Sequence, residues 1–181
     1  MRAEAEPGQT QWLAQLAALA RAQRAGTDGE NLAGFVGAYY QTASVATLEL
    51  RTPEALVATA AGHFDFAQQR QPGIAKLRVL PPDARGLAAL QTVVDDMPFL
   101  VDSISIAIRE CGVQIDWLVH PILHVARDPH GAWDELADDG EAESLIHIEF
   151  EALADAAQYV ALEQAVLAVL ADIRCVVDDF S

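Results

Sequence analysis

The sequence predicts an α+β fold in which an N-terminal helical segment precedes an antiparallel sheet backed by helices. Three observations predict it. Apolar residues recur at helical spacing up to about residue 70, and the period changes to strand-like alternation at Ile74. After residue 86, runs follow in the order strand, helix, strand, strand, helix. We therefore expect a helical segment at residues 1–73 and an α+β domain at residues 74–181.

Three helices are expected in the N-terminal segment. Thr10 is placed to cap the first, and "GTDGE" separates it from a second run that reaches Tyr40. The third begins with Thr52 as its cap and Pro53 at its first position, and "QPG" at 71–73 stops it. Ordinary packing of helix faces, rather than an aromatic pocket, accounts for the aromatic residues and histidine of these runs: Tyr39, Tyr40, His63 and Phe64.

The sheet is expected to begin with "IAKLRVL", a half-buried strand with Lys76 and Arg78 on one face. "LAALQTVVDD" is more apolar, which places it nearer the centre of the sheet. A helix then runs over 97–111, with Asp96 as its cap and Pro98 helping to open it. Gly112 ends this helix in a left-handed conformation.

The remaining elements complete the order. "VQIDWLVHPILHVAR" is a long strand in which Pro121 requires a bulge or an edge position. "DPHGAWDELADDGEAE" is an acidic loop, "SLIHIEFEAL" is an alternating strand, and an amphipathic helix ends near Val177. This is the split βαβ arrangement of ferredoxin-like folds without its last strand. Either that strand lies past Ser181, or "KLRVL" takes an edge of the sheet.

Composition and charge restrict the function classes. Hydrophobic residues make up 52% of the chain, which is enough for a substantial core, and the formal net charge of −16 argues against nucleic acids and anionic membranes as partners. No apolar run approaches the roughly 18 residues of a membrane span. The start, "MRAEAEPGQTQW", lacks the apolar region of a signal peptide. With Cys111 and Cys175 interpreted as buried reduced thiols, a cytoplasmic location is expected.

The stretch "DDMPFLVDS" resembles the ligand-binding turn of ACT domains, which carry an Asp-x-Pro-Gly-Leu-Leu-type turn between the first strand and the first helix. Asp96, Pro98, Leu100 and Val101 match this turn. Phe99 stands where the family has a glycine that lets the backbone approach a bound amino acid, so we expect its ring to fill that space.

Asp95, Asp96 and Asp102 could form a carboxylate cluster that binds a metal or acts as acid and base, but two other interpretations of these acids are favoured. They can cap the helix and favour its positive end, or they can meet the ammonium group of an amino-acid effector. In the second interpretation, the resemblance implies an effector site formed by Asp95, Asp96, Met97, Phe99 and Asp102.

A second resemblance covers nearly the whole chain. "AYYQTASVATLELRTPEAL", "RQPGIAKLRVL", "DDMPFLVDSI", "HPILHVARD" and "ESLIHIEFE" occur in this order and resemble the N-terminal region of the large bacterial NAD-specific glutamate dehydrogenases. In that family the catalytic segment lies far downstream, and the N-terminal part consists of ACT-like modules and helical connectors. The resemblance implies a non-catalytic regulatory and assembly segment. Its parent enzyme uses NAD to convert L-glutamate to 2-oxoglutarate and ammonia.

The residues agree with a non-catalytic segment. No GxGxxG follows a strand, and the chain's single lysine, Lys76, lies on an alternating strand. We expect no cofactor here, and expect as partners the other domains of the same polypeptide, further copies of it, and an amino-acid effector. Phe99, Val101 and Ile106 lie off the main apolar stripe of the helix at 97–111, so neighbouring modules or a second copy should cover it.

Other functions stay open as alternatives. The chain could be a stand-alone ACT-type sensor that binds a small effector at a dimer interface. A small metal-dependent or serine hydrolase is a third hypothesis. Imidazoles suit zinc, and three histidines fall in the strand-like runs: His120, His124 and His147. Ser103 and Ser105 are the candidate nucleophiles, but no GxSxG motif is present.

Overall fold

The computed structural model describes residues 8–179, so the predictions for the first residues and for the chain end lie outside it. Within this range the helices are α1 (Gln9–Gln23), α2 (Thr27–Tyr39), α3 (Val45–Leu48), α4 (Pro53–Ala67), α5 (Leu100–Glu110) and α6 (Ala156–Asp179). The strands are β1 (Lys76–Leu80), β2 (Leu87–Asp95), β3 (Ile115–Val119), β4 (Ile122–Arg127), β5 (Trp133–Leu136) and β6 (Glu141–Glu151). The predicted α+β class is confirmed.

The N-terminal segment is helical, as predicted, with one additional single-turn helix. Thr52 caps α4, since its hydroxyl oxygen accepts from the backbone N–H of Ala55 at 3.2 Å. The prediction that Thr10 caps the first helix is wrong: the capping position is Gly8, whose left-handed backbone starts the helix two residues earlier. The aromatic residues and His63 are buried core residues, as ordinary packing predicts.

The sheet is antiparallel and has the strand order β1-β2-β6-β4-β5, with β3 also paired to β6. β1 lies at one edge beside β2, with Lys76 opposite Val93 and Leu80 opposite Ala89. This is the edge that the final strand of a ferredoxin-like fold would occupy. The second of the two sequence alternatives, in which "KLRVL" takes the edge, is therefore the one observed. β2 is central, as its apolar composition predicted.

The long strand predicted around Pro121 is divided into β3 and β4. Both pair with β6, β3 along residues 147–150 and β4 along residues 141–144, so they form one interrupted row beside the same neighbour. Pro121 has no N–H to donate, but its carbonyl accepts from Leu145 N at 3.0 Å. The acidic-loop prediction is partly wrong, because β5 and the start of β6 fall within it.

Each face of the sheet packs against different helices. Toward α1–α4 the sheet presents the buried apolar residues Val93, Trp117, Val119, Leu123, Val125 and Leu145. Toward α5 and α6 it presents Ala88, Leu90, Val94, Ile146, Ile148 and Phe150. This alternation along β6 is the one that the sequence predicted. The helical segment and the sheet therefore share a core, and the division into domains at residues 73 and 74 stays a prediction.

Two expectations about α5 and the cysteines differ from the structure. Gly112 ends the helix with a φ of 76°, as predicted, but Asp96 does not cap it. The helix begins three residues later than expected, after a turn. Cys111 and Cys175 are both exposed, so the prediction of buried thiols is wrong. Cys111 follows the last turn of α5, and Cys175 lies beyond Leu170, the last buried residue of α6.

None of the helices within residues 8–179 combines the length and the apolar character needed to cross a membrane.

Candidate functional site

The turn between β2 and α5 has an unusual backbone. Phe99 occupies the position before the helix with a φ of 68°, the only positive φ of a non-glycine residue among residues 8–179. This is the position at which the resembling family has glycine, so the left-handed turn is kept without the residue that adopts it most easily. The Phe99 ring is 74% exposed. The ring is therefore not buried within the chain, but Phe99 borders the cavity at the turn, and the expectation that it fills the ligand space stays a prediction.

A cavity of about 550 Å³ lies beside this turn. Four of the five predicted effector residues line it: Asp96, Met97, Phe99 and Asp102. His120 and Ile122 line it as well. A carboxylate, an imidazole and apolar side chains around one opening have the chemistry of a site for a small amphipathic ligand. The structure thus brings most of the predicted residues together, and their role as an effector site stays a prediction.

Asp95, the fifth residue, belongs to a structural ion cluster and does not line that cavity. Its carboxylate accepts from Arg70 at 2.7 Å and from the backbone N–H of Gly73 at 2.9 Å, and it also pairs with Arg174 of α6. Burial by itself would raise the pKa of Asp95, but the hydrogen bonds and charges of the two arginines outweigh it and lower this pKa. The two adjacent aspartates of the sequence therefore have different environments.

Asp96 joins the sheet instead of capping the helix. Its backbone N–H donates to Ala142 O at 2.8 Å, and its carboxylate accepts from the Ser144 hydroxyl at 2.6 Å. Because that hydroxyl has one proton, it accepts from His120 Nε2, which lies at 3.0 Å. Burial lowers the pKa of His120, and the charge of Asp96 opposes this shift. The result is a short row of polar side chains at the cavity.

The three histidines do not form one site. His124 Nδ1 lies 3.1 Å from Gly140 O, and His147 Nδ1 lies 3.0 Å from the side chain of Gln91. No group of three His, Cys, Asp or Glu side chains in the described part of the chain is arranged to hold a metal ion. The serine that contacts a histidine is Ser144 of β6, not either of the serines on α5 that the hydrolase hypothesis named.

Sequence reasoning missed the most deeply buried charges. Glu143 accepts from Arg70 at 2.7 Å and, through both oxygens, from Arg127 at 2.6 and 2.8 Å, and its side chain is fully buried. Arg127 also donates to the carbonyls of Ala67 and Gly131. This cluster joins the end of α4 to β4 and β6. Glu143 lay in the segment that was predicted to be an acidic loop. The residues of that segment have no apolar periodicity that would have indicated its burial.

The comparisons with known proteins agree on one family. A sequence model described as "Glutamate dehydrogenase, ACT1 domain" matches residues 35–166. The chain is 30% identical to an NAD-specific glutamate dehydrogenase of Halomonas elongata over 158 residues, which is 81% of this chain and 10% of that protein. It is 34% identical to one of Pseudomonas aeruginosa over 117 residues, 58% of this chain and 7% of that protein.

The chain therefore aligns with only a tenth or less of the length of these relatives. The family match, in contrast, covers most of the chain, and it includes the β2–α5 turn and the whole sheet. We conclude that this chain belongs to the family of glutamate dehydrogenase ACT1 domains.

Proposed function

We propose that the chain is a non-catalytic regulatory and assembly segment of an NAD-dependent glutamate dehydrogenase. Its partners are other domains of the same polypeptide and further copies of it. In this proposal NAD and L-glutamate are used by the parent enzyme in a catalytic segment elsewhere, and the enzyme works in the cytoplasm. The family match and the small share of the relatives' length that the chain spans support this function.

The observation that carries the proposal is the outer surface of α5. Phe99, 74% exposed, and Ile122 of β4, 49% exposed, line the cavity at the turn together, and Ile106 of α5 is 54% exposed. Large apolar side chains that cluster on a surface mark a place where another protein surface packs. The strongly acidic charge of the chain also disfavours nucleic acid or an anionic membrane as the cover. Another part of the dehydrogenase therefore suits this surface best.

The assembly role is tested in the full-length dehydrogenase with Ile106→Glu. A carboxylate at this exposed site leaves the segment folded but disfavours an apolar contact. We expect sedimentation to show smaller assemblies than in the wild-type enzyme. Leu50→Glu is the matched control, because Leu50 is an exposed apolar residue in another part of the segment. Unchanged assembly and unchanged glutamate oxidation with Ile106→Glu would contradict the proposal.

A second function, the sensing of an amino acid, is favoured by one observation. Since the Phe99 ring is exposed, the cavity of about 550 Å³ at the turn is open to a ligand beside Asp96 and Asp102. The melting temperature of the 181-residue chain, followed with each of the twenty amino acids, tests this function. Stabilisation by one amino acid that Asp96→Ala abolishes would support sensing. No shift with any of them would exclude it and leave the assembly role.

A further inference from the structure

A second cavity, of about 230 Å³, lies at the other end of β2, between α4 and the sheet. It shares no lining residue with the cavity at the turn. Its buried wall includes Gln91, His147 and Glu149, and its exposed part includes Asp83 and Arg85. This volume has room for several water molecules. A small polar ligand therefore fits between a buried wall and a charged rim.

A chain of hydrogen bonds fixes the proton of His147. Gln91 Oε1 accepts from Arg78 Nε at 2.9 Å and from its Nη2 at 2.6 Å. The amide nitrogen of Gln91 therefore faces His147 Nδ1, at 3.0 Å, and donates to it. Since Nδ1 accepts a hydrogen bond, the neutral imidazole has its proton on Nε2.

This Nε2–H is a buried donor without an acceptor. His147 is 2% exposed, and its Nε2 has no hydrogen-bond partner. The nearest carboxylate oxygen, Glu149 Oε1, lies 3.6 Å away, which is too far for a hydrogen bond. Buried donors in folded proteins are almost always paired, so a donor left open on the wall of a cavity points to an acceptor supplied by a ligand.

Glu149 supplies a fixed negative charge beside that donor. Burial would raise its pKa, but the hydrogen bonds from Arg85 and Arg51 oppose this effect and the pKa is lowered. The carboxylate is therefore ionised at neutral pH and only accepts hydrogen bonds. An oxygen that fits between His147 Nε2–H and Glu149 must accept from the first and donate to the second, and a hydroxyl group does both.

Arg85 supplies a cation at the rim. Its side chain is 41% exposed, and it uses Nε for Asp83 and Nη2 for Glu149. A guanidinium has five N–H donors, and none from Nη1 is used among residues 8–179. The free edge of the guanidinium is suited to a carboxylate that enters from solvent.

We propose that this cavity binds a small hydroxycarboxylate, with its hydroxyl between His147 Nε2 and Glu149 Oε1 and its carboxylate on Arg85. The polar groups of the wall and the rim match the two functional groups of such a molecule. The site is separate from the β2–α5 turn and does not depend on the proposed assembly role.

The experiment uses L-lactate and D-lactate as probes with the 181-residue chain. Propionate, which lacks the hydroxyl, and propane-1,2-diol, which lacks the carboxylate, are the matched controls. The ring nitrogens of His147 are followed by NMR during titration. We expect a saturable shift with one lactate enantiomer and a dissociation constant of about 1 mM or tighter, and no saturation with either control. Absence of saturation with both enantiomers, or equal binding of propionate, overturns the proposal.

Variants locate the site. Arg85→Gln should weaken lactate binding at least tenfold, and because Arg85 is part-exposed this variant should keep its fold, which the NMR spectrum verifies. Arg21→Gln, at an exposed ion pair on α1, should bind like the wild type. Asp96→Ala, at the turn, should also bind normally, which separates this site from the effector cavity. Binding that survives Arg85→Gln but is lost with Asp96→Ala overturns the proposal.

Discussion

Phe99 shows how one residue can keep a conformation to which it is poorly suited. Its φ of 68° lies in the left-handed region, where the Cβ of an L-residue crowds the following carbonyl oxygen at a cost of roughly 1–2 kcal/mol. The ring recovers little of this by burial, because most of it faces solvent. An exposed apolar ring on a strained backbone is better explained by a contact with another protein surface than by the stability of this fold.

Phe99→Gly should therefore stabilise the isolated chain relative to Phe99→Ala. Both variants lose the same exposed ring, but only glycine removes the Cβ from the left-handed position. After the extra chain entropy of glycine in the unfolded state, we expect a difference of about 0.5–1 kcal/mol in the free energy of unfolding. Urea unfolding of the two variants measures it. A glycine variant that is less stable than the alanine variant would show that the turn is not strained.

In contrast to the exposed Phe99, Glu143 is fully buried, and the arginines around it pair with its charge. Glu143→Gln leaves Arg70 and Arg127 buried without their shared carboxylate, so the free energy of unfolding should fall by about 3–5 kcal/mol. Chemical denaturation measures the loss. Glu30→Gln, which removes an exposed partner of Arg21, is the control and should leave the unfolding midpoint where it is in the wild type.

Among the elements, α4 is tied to the sheet by a buried imidazole in addition to the Glu143 cluster. His63 Nδ1 lies 2.9 Å from the Tyr39 hydroxyl, and its Nε2 lies 3.0 Å from Thr92 O of β2. The carbonyl can only accept, so Nε2 is protonated and Nδ1 accepts from the tyrosine. The neutral ring thus has both nitrogens paired. Burial lowers the pKa of His63 well below 6.5.

This arrangement predicts a pH dependence of stability. Below pH 6.5 the unfolded chain takes up a proton at His63, while the folded chain does not. The contribution of His63 is therefore present above this pH and is lost as the pH falls. We expect the unfolding free energy to fall less steeply between about pH 7.5 and 5.5 in His63→Gln than in the wild type. Parallel urea titrations measure both slopes, and equal slopes would contradict the assignment.

Strong periodicity made most elements predictable from the sequence, and its absence explains those that were missed. β6 alternates because one face meets α4 and the other meets α5 and α6. β5 lies at an edge with its middle residues, Asp134 and Glu135, exposed, so it has no apolar pattern. α3 is a single turn, too short for a helical period. Element type was thus predictable where apolar residues recur with one period over many positions.

The candidate sites were less predictable, because their residues meet through the sheet. The turn "DDMPFLVDS" could be found as a local motif, but the different roles of Asp95 and Asp96 depend on Arg70, Arg174 and Ser144, which lie far away in sequence. The cavity at His147 has no local motif at all. Its wall is formed by Gln91 and by residues of β6 more than fifty positions later.

On the scale of the whole molecule, the helical segment and the sheet form one packed structure. The face of the sheet toward α1–α4 buries apolar side chains from four strands, including Trp117 and Leu123. Without the helices the apolar side chains of this face would be open to water, and a large exposed apolar patch favours association or aggregation. We therefore expect the ACT-like part to depend on the helices that precede it for its solubility.

This dependence gives a prediction about truncation. A chain of residues 74–181 should lack a cooperative thermal transition and should bind a dye that reports exposed apolar surface, such as ANS. The 181-residue chain should unfold in one sharp transition without binding the dye. Calorimetry and dye fluorescence make the comparison. A cooperative transition of the shorter chain would show that the boundary at residues 73 and 74 separates two independent domains.

The strand order has a consequence for synthesis of the chain. β6 lies between β2 and the β3–β4 row, yet it is the last of these strands in chain order. On a ribosome that adds 5–20 residues per second, about 3 to 11 s separate the end of β2 from the end of β6. During that interval the edge of β2, and later also that of the β3–β4 row, faces the gap that β6 will fill. A nascent chain is therefore most exposed to wrong pairing with its neighbours on a polysome just before its sheet is complete.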